Sequence, residues 1–173
     1  IWTKNPKIFN ETMKLLIILT SLLCLGINTA NAIEYEAKII RVVDGDTVVV
    51  LHNAVKKKVR LRHIDAPEKS QHYGQSAKDF LSSELEGKSV IVNTDYKDRY
   101  GRDIGDIFIY DSGVAVYINA KLIKTGNAWV YKSYRGNSYL MNLENHARKN
   151  KLGLWSTKTP LEPWLFRAKN NKK

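Results

Sequence analysis

From residue 35 to residue 110, apolar and polar positions alternate in short runs, the period-2 signature of strands with one buried face. Tyr35–Val43 and Thr47–Leu51 flank Asp44-Gly45, a dipeptide suited to a tight hairpin turn. Lys57–Ile64 predicts a third strand, and Ser89–Thr94 and Ile104–Tyr110 two more. Helical spacing appears at Ala77, Phe80, Leu81 and Leu85, predicting a helix over Ser76–Leu85 closed by Gly87. A second helix is expected over Val114–Thr125, with Val116, Ala120 and Ile123 inward and Gly126 at its end. The third is expected over Tyr139–Lys151, with Leu140, Leu143 and Ala147 inward. Five short strands with helices inserted and appended predict an α+β domain with a mainly β core, a small barrel of the OB type. After Trp155, Pro160, Pro163 and a run of basic residues predict an irregular tail over 157–173.

The N-terminal pattern differs. Met13-Lys14 precedes the uncharged apolar run Leu15–Ile27, which is followed by Ala30-Asn31-Ala32. A basic start, a short apolar segment and small residues in an A-x-A arrangement predict a secretory signal peptide cleaved after Ala32. The apolar run is too short to cross a ~30 Å hydrocarbon core as a helix. Residues 1–32 are therefore expected to be an extension and signal peptide, and the product to be secreted or periplasmic. What remains is one domain, with no membrane span and no protein partner evident, expected to be a monomer.

Charge and cysteine usage narrow the function. The chain carries 28 Lys and Arg against 17 Asp and Glu, a net charge of +11. Such a balance suits a polyanionic partner, nucleic acid or an anionic surface, but equally a merely soluble basic protein. The single cysteine, Cys24, lies in the signal segment, so thiolate catalysis, zinc–thiolate sites and disulfides are not expected in the domain. His52, His63, His72 and His146 show no metal-ligand spacing, and no nucleophile elbow or Gly-rich phosphate loop is present.

Three short segments hold the candidate chemistry. In Asp44-Gly45-Asp46-Thr47 two carboxylates bracket one glycine at a strand junction; alone this reads as a β-turn or as a cation site. In Val59–Glu68, Arg60 and Arg62 lie two apart on a strand and point to one face. The acids Asp65 and Glu68 follow, so the segment is either a surface ion pair or a phosphate clamp built on planar guanidinium forks. Asp98–Arg102 is, alone, a polar loop with Gly101 at a turn.

Taken in order, Asp44-Gly45-Asp46-Thr47, Arg60 with Ile64-Asp65-Ala66-Pro67-Glu68, and Tyr100-Gly101-Arg102 resemble the signature of the staphylococcal nuclease (thermonuclease) family. Asn119–Tyr131 and Gly153–Trp155 resemble that family's later helices, so the likeness runs from about Tyr35 to Ser156. The resemblance implies a five-stranded OB-fold β-barrel with three helices over 33–156. It implies a Ca²⁺-dependent enzyme cutting phosphodiester bonds of DNA and RNA, endo- and exonucleolytically, to 3′-phosphate products. By the same resemblance Asp46, Asp65 and the Ala66 backbone carbonyl would hold the Ca²⁺, with Asp44 behind them. Arg60 and Arg102 would hold the phosphate, Glu68 would orient or deprotonate water, and Tyr100, Tyr131 and Tyr134 would contact the nucleotide.

The sequence departs from the family in places, and the base-contacting tyrosines of the family have only approximate counterparts in Tyr131 and Tyr134, with Lys132 between them. A threonine often found just before the proline is Ala66 here, and the segment between Glu68 and Ser76 is short. Two other readings stand beside the enzyme: a non-catalytic nucleic-acid-binding module on the same barrel, and a basic exported protein docking to anionic surfaces through its tail.

Overall fold

The computed structural model describes residues 32–170; the expected extension and signal segment therefore lies almost wholly outside the described residues. Alternation sets the first hairpin. In β1 (Ile33–Asp44) Tyr35, Ala37 and Ile39 are buried while Glu34, Glu36 and Lys38 face out. β1 pairs antiparallel with β2 (Thr47–His52), Asp44 opposite Thr47, so that Gly45 and Asp46 form the turn. A bulge between Ile39 and Arg41 restores the phase, and Val42 is again buried. β3 (Val55–Leu61) pairs with β2, with Val59 and Leu61 inward and Arg60 on the outer face.

After a two-residue β4 (Ile64–Asp65) and α1 (Gly74–Leu85), β5 (Ser89–Lys97) returns against β1, and β6 (Asp103–Asp111) pairs with β5. Parallel pairing of β3 with β6, Val59 opposite Asp103 and Leu61 opposite Gly105, closes five strands into the expected barrel. Its core includes Ile39, Val48, Val50, Val59, Leu61, Val92 and Ile107, capped by Leu81 and Leu85 of α1. Each such fully buried side chain contributes about 1.5–3 kcal/mol.

Three expectations need correction. The helix expected over Val114–Thr125 is split: Val114–Tyr117 is a strand, β7, and only Ile118–Lys124 is helical, α2. Ser112 and Gly113, both at positive φ, make the mirror-image turn that favours a hairpin, so β7 extends β6 with Asp111 opposite Val114. The third strand ends at Leu61 instead of Ile64, because Arg62 and His63 turn the chain, His63 at positive φ. Part of the tail is not irregular either: Pro163–Asn170 forms a helix, α4, which with α3 (Ser138–Lys149) makes four helices among the described residues. Proline at a first helical position loses no hydrogen bond and its φ is preset for helix, so Pro163 starts this helix where it was read as a breaker. Among the described residues no helix is long and apolar enough to cross a membrane.

One buried chain of contacts fixes where β4 sits. Asp65 and Ile64 pair with Trp129 and Val130 of the short strand β8. The Val130 amide donates to Glu144 Oε2 at 2.7 Å, and Arg148, one turn along α3, donates to Glu144 Oε1 at 2.8 Å through Nη2. The Arg148 guanidinium lies over Trp155, 3.7 Å from the ring centroid. Thus α3 holds β8, and β8 holds the backbone of Asp65.

Candidate active site

The β1–β2 turn and the loop after β4 meet because both have lost side-chain bulk. A Cβ on Gly45 would stand 2.7 Å from the Ala66 Cβ and 3.0 Å from that of Ala77, so only glycine lets the turn lie against them. The contact brings Asp46 to the Ala66 amide, which donates to its Oδ2 at 2.8 Å. Asp46 Oδ1 accepts from the Thr47 hydroxyl, and the Asp46 amide donates to Asp44 Oδ1. Burial, and then the neighbouring charge of Asp46, push the Asp44 carboxyl up to about 6.

Arg60 reaches over this turn from the outer face of β3. Its Nη2 lies 3.0 Å from Asp46 Oδ2 and 2.9 Å from Asp65 Oδ1, while Nη1 donates to the carbonyls of Leu61 and Ile64. Asp65 is only 1% exposed. Burial raises its proton affinity, and the hydrogen bond from Arg167 pulls the other way; the net direction is upward.

Arg102 lies on the loop between β5 and β6. Asp98 Oδ2 accepts from its Nε at 2.8 Å, and Asp98 Oδ1 accepts from the Tyr100 and Arg102 amides. Tyr100 projects into solvent, with the guanidinium carbons of Arg99 and Arg102 at 4.9 and 5.5 Å from its ring centroid. A single turn of 3₁₀ helix, Lys132–Tyr134, separates Tyr131 from Tyr134, whose centroids lie 6.3 Å apart.

All ten residues singled out in the sequence (Asp44, Asp46, Arg60, Asp65, Ala66, Glu68, Tyr100, Arg102, Tyr131 and Tyr134) line one cleft of about 590 Å³. They come from four separate segments of chain. Arg62 lines the same cleft, with its guanidinium bound to Asp95 at 2.9 Å and Asp106 at 2.8 Å, acids on β5 and β6, whereas the acids that hold Arg60 are the candidate cation ligands Asp46 and Asp65.

One member was missed. Arg167 of α4 reaches into the cleft and donates to Asp65 Oδ2 at 2.8 Å, Asp65 Oδ1 at 3.2 Å and Glu68 Oε1 at 2.5 Å. Nothing in the sequence distinguished it from the other basic residues of the tail.

The donor chemistry suits a hard cation. Asp46, Asp65 and the Ala66 carbonyl are oxygen donors, and guanidinium groups already stand against both carboxylates, so this place favours positive charge. Among the described residues no three His, Cys, Asp or Glu side chains converge into a ready-made ligand cluster. A cation would thus take two carboxylates and a carbonyl here, with the remaining oxygens supplied by water and substrate.

A profile described as "Staphylococcal nuclease homologue" matches residues 58–157. The chain belongs to the staphylococcal nuclease family. Within it, this chain is 39% identical over 134 residues to an uncharacterized endonuclease of Escherichia coli O157:H7, covering 78% of this chain and 86% of the relative. It is 36% identical over 141 residues to a micrococcal nuclease of Shigella flexneri, covering 78% and 81%. With an uncharacterized endonuclease of Haemophilus influenzae it shares 34% over 154 residues, covering 87% and 84%. The profile match ends before α4, so Arg167 lies outside the segment by which the nuclease family is recognised.

Proposed function

We propose that this member of a nuclease family hydrolyses phosphodiester bonds of DNA and RNA in a Ca²⁺-dependent reaction, within chains and at their ends, leaving 3′-phosphates. The observation that carries this reading is the convergence of Asp46, Asp65, Glu68, Arg60 and Arg102 on one cleft of a strongly basic chain. The names of two relatives, an uncharacterized endonuclease and a micrococcal nuclease, agree with it.

A phosphodiester is anionic, so water attacks it only once that charge is offset. Asp46, Asp65 and the Ala66 carbonyl would hold the cation, with Asp44 supporting Asp46 from behind. The bound ion would supply charge neutralisation at the phosphoryl oxygens. Arg60 and Arg102 offer planar forks matched to those oxygens and become most valuable as charge grows in the transition state. Arg102 is a hydrogen-bond donor toward the departing oxygen, since a guanidinium does not give up its proton in this pH range. Glu68 is the carboxylate free to orient or deprotonate water once Arg167 moves away. Tyr100, with Tyr131 and Tyr134, offers ring faces on which bases stack with little sequence preference. The reading includes export, supported by the apolar run Leu15–Ile27 and Ala30-Asn31-Ala32.

The test is cleavage of single-stranded DNA and RNA in calcium, with product ends assigned by phosphatase sensitivity. Glu68→Gln should lower the rate by roughly 10²–10⁴ while binding is retained. Undiminished cleavage in Glu68→Gln, or binding without cleavage by the unaltered chain, would favour the non-catalytic module.

A further inference from the structure

The guanidinium of Arg167 makes three contacts with the two acids that matter most, two with Asp65 and one with Glu68. Every carboxylate oxygen of Asp65 then meets an arginine, Oδ1 meeting both Arg60 and Arg167. Since Asp65 is 1% exposed, solvent does not supply these contacts, and a cation binding Asp65 competes for the same oxygens, with Arg167 the only partner on Oδ2 among the described residues.

The helix carrying Arg167 is held by few contacts. Pro163 is buried, Trp164 lies edge-on to Trp129 and Tyr131 at 5.9 and 6.3 Å, and Gln71 donates to the Leu161 carbonyl. The Arg167 side chain is 40% exposed, so its ion pairs are partly screened by water. The same helix also sets Trp164 against Tyr131, one of the rings facing the cleft.

We propose that α4 is a built-in competitor of the cation, Arg167 occupying Asp65 and Glu68 until a divalent ion displaces it. The inference rests on the cation reading of Asp65 given above. Its consequence is a weakened site. A site closed most of the time by an internal cation binds its metal more weakly by the fraction open. The protein then stays closed at low calcium and opens where calcium is abundant, and opening frees Glu68 and uncovers Tyr131 in one movement.

Calorimetric titration of the chain with Ca²⁺ alone tests this, without nucleic acid, in the unaltered protein and in Arg167→Gln, Lys169→Gln and Asp65→Asn. Competition predicts that Arg167→Gln binds Ca²⁺ more tightly by roughly 5- to 150-fold, the usual range of coupling between two ligands. Lys169→Gln, which removes a charge from the same helix without touching the acids, should change affinity little, and Asp65→Asn should lose binding. Equal tightening in Lys169→Gln would reduce the effect to net charge and overturn the proposal. Unchanged or weaker binding in Arg167→Gln, with binding lost in Asp65→Asn, would overturn it while leaving the nuclease reading intact. Absence of Ca²⁺ binding in every variant would overturn both.

Discussion

Among the buried carboxylates that face arginines, Glu144 and Asp65 stand in contrasting surroundings. Glu144 is fully buried, and its partners are the Val130 amide and Arg148, four residues along the same helix, with Arg135 beyond at 3.6 Å. Asp65 is as deeply buried, but its partners come from β3 and from α4, and it borders a cleft of about 590 Å³. The first cluster is closed and local; removing any part of it loosens the fold. The second is assembled from distant segments and is open on one side, so its charges are available to something from outside. The two ion pairs are therefore told apart by the origin of their partners and by access, not by burial.

The largest effect that would sharpen this contrast is expected at Glu144. Glu144→Ala leaves a buried amide and a guanidinium without their acceptor and should destabilise the domain by about 3–5 kcal/mol, read by urea unfolding. A loss below about 1 kcal/mol would mean that the Glu144 cluster does not hold the fold.

Arg102→Ala should do the reverse. Its ion pair with Asp98 is partly exposed, so stability should change by less than about 1 kcal/mol, while the cleavage rate falls by roughly 10²–10³. A matched fall in stability and rate would make Arg102 a structural residue like Arg148.

A smaller effect is expected at Gly74, which floors the Glu68 loop. A Cβ there would stand 1.9 Å from the Glu68 carbonyl oxygen, so Gly74→Ala must shift that loop, at about 1–3 kcal/mol by thermal unfolding and with reduced cleavage. Unaltered stability and rate would show that the loop is free to move.

The smallest concerns Asp98. Burial alone would raise its carboxyl, but the Arg102 and Tyr100 amides and the Arg102 guanidinium outweigh that and hold it below the ordinary 3.8. A depressed folded value means that the contribution is present above about pH 4 and is lost as pH falls through the folded value. An NMR titration of the Asp98 carboxyl should give a midpoint under 3.8; a midpoint above it would mean that the Arg102 loop is not held as described.

The barrel was legible because alternation and a single glycine turn specify a strand pair directly, and the ten cleft residues because their motifs lie close to the strands that position them. β7 was not. Val114-Ala115-Val116-Tyr117 is a short apolar run that fits a helix start as well as a strand, and only the positive φ at Ser112 and Gly113 decides it. Arg167 was illegible for a different reason: its partners Asp65 and Glu68 are about 100 residues away, and no local pattern encodes such a contact. Arg62 misled because strand alternation set it beside Arg60, whereas the chain turns at that point and Asp95 and Asp106 capture it.

The central claim is that the acids around Asp65 form a cation and phosphate site. It is tested most directly by the initial rate of DNA cleavage as free calcium is raised from chelated to millimolar levels. The account predicts no cutting in chelator, a saturable rise with calcium, and an unchanged fold throughout. Cleavage at full rate in chelator would contradict it.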